Sequence, residues 1–194
     1  MNSVRRARSP LPGVLFCILG LAICLGVSDR ASADGAEPLP DFELDAVLGP
    51  DSEPKVDRIH VFKSERRMVL LSGEIPVYEY EVALGGSPIG PKRELGDERT
   101  PEGEYVIDSR KADSDFHLAL HVSYPNADDR LQARDRGVEP GGAIMIHGLP
   151  NGFGLIGPAH RLADWTDGCI AVTNEEIEEI WRRVADGVAI DIRP

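Results

Sequence analysis

The stretch Asp164-Trp165-Thr166-Asp167-Gly168-Cys169-Ile170-Ala171-Val172 decides how the rest of the sequence is interpreted. A loop rich in glycine and proline precedes it, and its last three residues are apolar, as in a short buried strand. Thr173 and Glu176 then match a capping box, which predicts the start of a helix. Cys169 is therefore expected at a junction between loop and strand, where functional side chains are often found.

A second stretch, residues 143–147, is apolar up to its final residue, His147, and predicts a central strand. A thiol attacks a carbonyl carbon as the thiolate, so it needs a base within hydrogen-bond reach. We predict Cys169 as the nucleophile and His147 as its base, with a backbone carbonyl fixing the imidazole tautomer. Gly148 permits a close approach, and Gly168 opens a tight turn. The N–H groups of residues 168 and 169 are predicted to bind the oxyanion.

Three other interpretations of these residues are weighed. A lone cysteine is commonly a small buried hydrophobic residue. A histidine at the end of a strand is often structural. A metal site would use ligands from among His147, His160, Asp164, Asp167 and Cys169, but their spacing matches no zinc pattern. The sequence therefore predicts neither a metal nor a cofactor.

The N-terminal residues 1–33 have the three-part layout of a secretory signal peptide. A basic start is followed by an apolar run over residues 11–27 and by small residues at 31 and 33. The run is short for a membrane-spanning helix, so cleavage is favoured over the alternative of an uncleaved anchor. The predicted location is outside the cytoplasm, in the periplasm or cell envelope.

Charge and cysteine content agree with that location. The formal net charge is −12, and removal of residues 1–33, with four arginines and one aspartate, leaves −15. Nucleic acid would be repelled, so it is excluded as a partner. Cys17 and Cys24 lie in the removed segment, so Cys169 has no disulfide partner within the chain. A lone thiol outside the cytoplasm is expected to be buried or used.

The rest of the chain divides into an acidic, flexible linker at residues 34–54 and a domain at residues 55–194. Period-two patterns predict an antiparallel meander at its start, followed by further strands, and the long loop at residues 85–103 is expected to be functional. The expected class is mainly β with two short helices. The predicted strands are residues 56–63, 67–71, 75–84, 104–108, 116–122, 143–147, 170–172 and 188–192, and the helices are residues 126–136 and the segment after Thr173.

These motifs together resemble the catalytic signature of the L,D-transpeptidases, the YkuD-type domain. Ile146-His147-Gly148 precedes a glycine-rich loop and Thr166-Asp167-Gly168-Cys169-Ile170, in the order found in that family. Thr100-Pro101-Glu102-Gly103 resembles a further segment of the family. The resemblance covers residues 56–194 and implies a β-sandwich or barrel-like catalytic fold. It also implies peptidoglycan stem peptides as the substrate.

The resemblance assigns a role to each matching residue. Cys169 attacks the bond before a terminal D-residue and forms a thioester, His147 is the base, Gly148 and Gly168 shape the site, and Thr166 supports the cysteine or the oxyanion hole. Asp167 stands where many members have histidine, and Ala171 where many have arginine or asparagine. His160 or Arg161 is therefore predicted to supply the missing positive charge, and Asp167 is a weaker candidate for substrate binding.

The sequence leaves the second half of the reaction open. Transfer of the acyl group to an amine of another stem would make the protein a transpeptidase. Resolution by water would make it a carboxypeptidase or an amidase, the latter acting on a protein attached to the wall. A non-catalytic wall-binding module with a buried Cys169 is the third alternative. The sequence does not define the oligomeric state.

Overall fold

A computed structural model describes residues 53–194. The signal peptide predicted at residues 1–33, and all but the end of the linker predicted at residues 34–54, lie outside the described residues. Within the described part, no helix is both long and apolar enough to cross a membrane.

Eight β-strands and two α-helices make up the described part of the chain. The strands are β1 (Arg58–Phe62), β2 (Arg67–Ser72), β3 (Ile75–Glu81), β4 (Gly103–Ser114), β5 (His117–Val122), β6 (Met145–His147), β7 (Ile170–Ala171) and β8 (Ala189–Arg193). The helices are α1 (Ala127–Arg136) and α2 (Asn174–Arg183), and shorter 3-10 segments lie at Lys63–Glu65 and Gly154–Leu162. The predicted class, mainly β with two short helices, is confirmed.

The strands form one sheet in the order β3-β2-β1-β8-β4-β5-β6-β7. The predicted meander is present, since β2 pairs antiparallel with both β1 and β3. β8 runs parallel to β1 and antiparallel to β4, so it joins the meander to the strands that carry the site. β6 and β7 are also parallel, and their register places His147 beside Ala171.

The sheet curls until its two ends meet. Ala83, just after β3, exchanges two backbone hydrogen bonds with Ala171 in β7, at 3.0 and 2.8 Å. Gly85 forms a further bridge to Thr166. Along β1 and β8, buried residues alternate with more exposed ones, so one face of each strand points inward. α2 buries Ile177 and Ile180 against the same core. The architecture is therefore the barrel-like form of the expected fold.

Both helices begin with the expected caps. The Thr173 hydroxyl accepts from the Glu176 N–H, and the Glu176 carboxylate accepts from the Thr173 N–H, which is a complete capping box. α1 is capped in the same way by Asn126 and ends at Gly137, which adopts a left-handed conformation. Strand β6 is shorter than predicted because Ala143 has a φ of 54° and cannot continue an extended strand.

Candidate functional site

A cleft of about 660 Å³ opens beside β6 and the start of β7, and both Cys169 and His147 line it. His147 is the last residue of β6, and Cys169 immediately precedes β7. The register of this parallel pair sets Cys169 level with Met145, two residues before His147, so Cys169 and His147 face the same side of the sheet. The Cys169 side chain is half-buried, whereas His147 is buried.

The His147 imidazole is held in one tautomer. Its Nδ1 lies 2.7 Å from the Gly148 carbonyl oxygen, which can only accept, so Nδ1 carries the proton. Nε2 of the neutral ring is then left with a lone pair that can accept a proton. The backbone carbonyl predicted to fix the tautomer of His147 is thus that of Gly148.

The Cys169 thiol has backbone groups on two sides. Its Sγ lies 3.5 Å from the Ala143 carbonyl oxygen, which can accept from the thiol. The Met145 N–H points to the sulfur and lowers the pKa of the thiol. These contacts come from the first residue of β6 and from the chain just before it, so the strand that supplies the histidine also orients the cysteine.

Burial dominates the electrostatics of the pair. It lowers the pKa of His147, and the Gly148 carbonyl opposes this effect. Burial also raises the pKa of Cys169. The Met145 N–H and the charge of Lys92 lower this pKa, whereas the charge of Asp167 raises it further. Since burial disfavours the charged form of each group, the pair rests as a neutral thiol beside a neutral imidazole.

Thr166 organises the turn that presents the thiol. Its hydroxyl donates to the Cys169 carbonyl oxygen at 2.8 Å and accepts from the Gly168 N–H at 3.2 Å. These two bonds hold residues 166–169 in one turn, and this arrangement is compatible with the predicted support of the cysteine. The Gly168 N–H is engaged within the turn, so the Cys169 N–H is the remaining member of the pair predicted to bind an oxyanion.

The glycines at the site are required by close packing. A Cβ at Gly168, whose φ is 118°, would lie 2.5 Å from the Arg99 carbonyl oxygen. A Cβ at Gly148 would lie 2.8 Å from Asn174 Oδ1 at the start of α2 and 3.0 Å from an Ile177 methyl group. The neighbour that approaches Gly148 is therefore the protein chain itself.

The loop at residues 85–103 forms one wall of the cleft. Lys92 Nζ donates to Asp97 Oδ1 at 2.7 Å and to the Glu94 carbonyl oxygen at 3.1 Å, with only 2% of the lysine side chain exposed. Asp97 also accepts from backbone N–H groups of the loop. A buried ion pair thus holds the wall in shape beside Cys169.

Two residues predicted to supply positive charge do not line the cleft. The Arg161 guanidinium pairs with Glu176 at the cap of α2 and lies 3.8 Å from Glu81. His160 is buried, and burial, Arg161 and His147 together lower its pKa to about 4. His160 is therefore neutral at neutral pH. The prediction that either residue is a free cation for a carboxylate is wrong, because Arg161 is already paired and His160 is uncharged. Asp167 does line the cleft and is exposed.

Two aromatic side chains that line the cleft were not predicted from the sequence, those of Phe116 and Trp165. The Phe116 and His147 ring centroids are 4.5 Å apart, and those of Trp165 and His147 are 5.8 Å apart. Trp165 stands within the stretch that identified the thiol, so its nearness to Cys169 was the available signal. Phe116 gave no local signal, since it reaches the site only through the pairing of β5 with β6.

The model of the YkuD family, the L,D-transpeptidase catalytic domain, matches residues 56–192. The chain belongs to the L,D-transpeptidase family. Within residues 53–194 of this L,D-transpeptidase domain, no group of three or more histidine, cysteine, aspartate or glutamate side chains could hold a metal ion.

The L,D-transpeptidase domain also matches a relative in sequence. It is 31% identical over 132 residues to YafK of Escherichia coli strain K12, a protein provisionally named an L,D-transpeptidase, and the match covers 65% of this chain and 46% of YafK. The chain thus spans about half the length of the curated relatives it matches.

Two solved structures share the fold. The helical cell shape determining protein Pgp2 of Campylobacter jejuni is 25% identical, with a TM-score of 0.58 over 72% of this chain and 48% of Pgp2. Bd1075 of Bdellovibrio bacteriovorus is 24% identical, with a TM-score of 0.50 over 71% of this chain and 48% of its own.

Proposed function

We propose that this chain is an exported cysteine acyltransferase that acts on peptidoglycan stem peptides, with Cys169 as the nucleophile and His147 as the base. The observation that carries the proposal is the shared cleft, which is lined by a thiol and by an imidazole of fixed tautomer from two paired strands. Membership of the L,D-transpeptidase family supports the substrate class.

The chemistry follows from the neutral resting pair. As Cys169 Sγ attacks the carbonyl carbon of the scissile amide, the thiol proton passes to His147 Nε2, and the carbonyl oxygen becomes an oxyanion near the Cys169 N–H. The C–N bond then breaks, and the proton on Nε2 goes to the leaving amine. The products of this half-reaction are a thioester on Cys169, a free amine and a neutral His147.

The second half-reaction reverses these proton movements. An amine of a second stem approaches the thioester, His147 Nε2 accepts its proton, and the amine nitrogen attacks the carbonyl carbon. The C–S bond breaks, and the proton returns from Nε2 to the sulfur. Water in place of the amine would give a hydrolase by the same steps.

The charges at the mouth of the cleft favour an acceptor that carries an ammonium group. The exposed carboxylates of Glu98, Asp115 and Asp167 line the cleft, against one exposed ammonium, that of Lys111. Lys92 is neutralised by Asp97. Asp167 flanks the thiol most closely in sequence, so it is the carboxylate proposed to orient the amino group of the acceptor.

Product analysis tests the reaction. The pure protein is incubated with peptidoglycan sacculi, and the digested products are examined by mass spectrometry. We expect loss of the terminal D-residue together with new crosslinked dimers, and none of either with Cys169→Ala. Loss of the D-residue, or release of wall-attached protein, without new dimers would identify a hydrolase. Full activity of Cys169→Ala would refute the thiol mechanism.

A second experiment tests Asp167. Asp167→Asn should raise the KM for an amine acceptor several-fold, because a pairing with the ammonium group is lost. Asp113→Asn is the matched control, since Asp113 is exposed but does not line the cleft. Equal KM values for the two variants would remove Asp167 from the acceptor site.

A further inference from the structure

Four rings form a connected cluster on one side of the cleft, and His147 is one of them. Phe116 and Trp165 both contact the His147 ring, and they also stack on each other at 6.2 Å between centroids. His160 is the fourth ring, 6.4 Å from Trp165 and nearly perpendicular to it. His160 thus lies behind the aromatic wall that packs on the proposed base.

The hydrogen bonding of His160 fixes its protonation. The Trp165 indole Nε1–H can only donate, and it donates to His160 Nδ1 at 3.4 Å. Nδ1 therefore carries no proton, and His160 is neutral with its proton on Nε2. That Nε2 atom is buried and has no hydrogen-bond partner among the residues that the structure describes.

Such an arrangement is unfavourable for stability alone. A buried N–H without a partner costs about 1–3 kcal/mol, which an apolar side chain of similar size would avoid. Within residues 53–194, the only side-chain hydrogen bond of His160 is the one from Trp165. We therefore expect the compensating benefit to be the positioning of Trp165 and of the His147 ring that Trp165 contacts.

We infer that His160 is a positioning residue for His147. By accepting a hydrogen bond from Trp165, His160 holds the indole against the His147 imidazole, and His160 itself stays uncharged. The inference rests on the proposed role of His147 as base. When His147 takes the proton of Cys169 it becomes an imidazolium, and a second positive charge close by would oppose that step. A histidine locked as the neutral tautomer gives polar support without that charge.

The surroundings of His160 agree with this role. The titratable groups that act on it are Arg161 and His147, both of which disfavour its protonation, as does burial. Arg161 is itself paired with Glu176, which keeps it directed toward the cap of α2. Burial, Arg161 and His147 therefore all favour the neutral state of His160.

The test compares His160→Leu, which removes the acceptor, with His160→Asn, whose Oδ1 can replace Nδ1 as acceptor for Trp165. Alkylation of Cys169 by iodoacetamide is followed as a function of pH in the full chain, without substrate. We expect His160→Leu to move the profile upward, to a position between wild type and His147→Ala. His160→Asn should stay near wild type. On a stem peptide, kcat of His160→Leu should fall roughly tenfold with KM unchanged.

The control is His60→Leu. His60 lies on β1, does not line the cleft, and also has a buried Nε2 without a partner, so it should leave both measurements unchanged. Trp165→Phe removes the donor and should reproduce the effect of His160→Leu, which keeps the test informative if His160→Leu does not fold.

Two failures are distinguishable. If His147→Ala shifts the alkylation profile but neither His160→Leu nor Trp165→Phe does, the positioning role is refuted and the proposed base survives. Equal losses in His160→Leu and His160→Asn would likewise refute it, because the acceptor would then not matter. If His147→Ala itself leaves the profile unchanged, it is the proposed function that fails.

Discussion

Lys63 Nζ donates to Glu102 Oε1 at 2.8 Å from a position where only 2% of the lysine side chain is exposed. The same ammonium donates to the carbonyl oxygens of Gly90 and Thr100, at 2.6 and 2.9 Å. All three partners belong to the loop at residues 85–103. One buried side chain at the end of β1 therefore fastens the loop that forms a wall of the cleft.

Lys63→Met should lower the free energy of unfolding by about 3 kcal/mol, because it leaves the Glu102 carboxylate without its buried partner. Urea denaturation measures the change. Arg193→Met is the control, since Arg193 pairs with Asp191 at the surface and should cost less than about 1 kcal/mol. Similar losses for the two variants would mean that the buried lysine contributes no more than a surface ion pair.

Gly168→Ala should be strongly destabilising and should displace the loop from the turn that carries Cys169. The added Cβ would meet the Arg99 carbonyl oxygen at 2.5 Å. We expect a loss of about 2–4 kcal/mol, measured by denaturation. Gly152→Ala provides the comparison, because Gly152 also has a positive φ, 89°, but no atom within 4 Å of the added carbon. It should cost only about 1 kcal/mol, and an equal cost at both positions would exclude the steric explanation.

Alkylation of Cys169 should depend on His147. Burial raises the pKa of this thiol, so without a base the thiolate forms only at high pH. His147→Ala should therefore shift the pH profile of iodoacetamide alkylation upward, which intact-protein mass spectrometry can follow. His121→Ala, which removes a histidine bonded to Asp108 away from the cleft, should leave the profile in place. An identical profile for His147→Ala and wild type would contradict the assignment of the base.

Stability should decline in weak acid because of His160. The pKa of this residue is about 4 in the folded protein against 6.5 as its ordinary value, so the unfolded chain binds the proton first. The stabilisation is fully present above pH 6.5 and is lost as the pH falls towards 4, by up to about 3 kcal/mol. Urea unfolding between pH 7.5 and 4.5, chosen to bracket about this range, should show a steeper decline for wild type than for His160→Asn. Parallel curves would show that His160 does not contribute.

The local features of the fold were predictable from sequence. The capping box at Thr173 and the alternation in β1 and β2 depend on neighbours within a few residues, and the structure confirms them. The far half of β4 was missed because its residues from Asp108 to Asp113 are all exposed, so no alternation marks them. The parallel pairing of β8 with β1 joins the two ends of the domain, and no short pattern encodes it.

The candidate site divides in the same way. Cys169 and His147, which both line the cleft, were selected from the sequence because each stands beside a glycine at the junction of loop and strand. Arg161 was misjudged because its charge is evident in the sequence, whereas its partner Glu176 becomes apparent only in the folded chain. Lys92 was overlooked for the opposite reason, since a lysine in a polar loop gives no sign that it is buried.

The place of β8 in the sheet has a consequence for biosynthesis. This strand lies between β1 and β4, so it connects the meander to the strands that hold the thiol and the histidine, yet it is the last of the eight to leave the ribosome. β1 and β4 cannot be linked within the sheet before β8 is present, because each of them pairs with β8 and not with the other. Cys169 therefore precedes, in the sequence, a strand that the closed sheet around it requires. The cleft that holds Cys169 and His147 therefore belongs to a sheet that is complete only after β8 has paired with both β1 and β4.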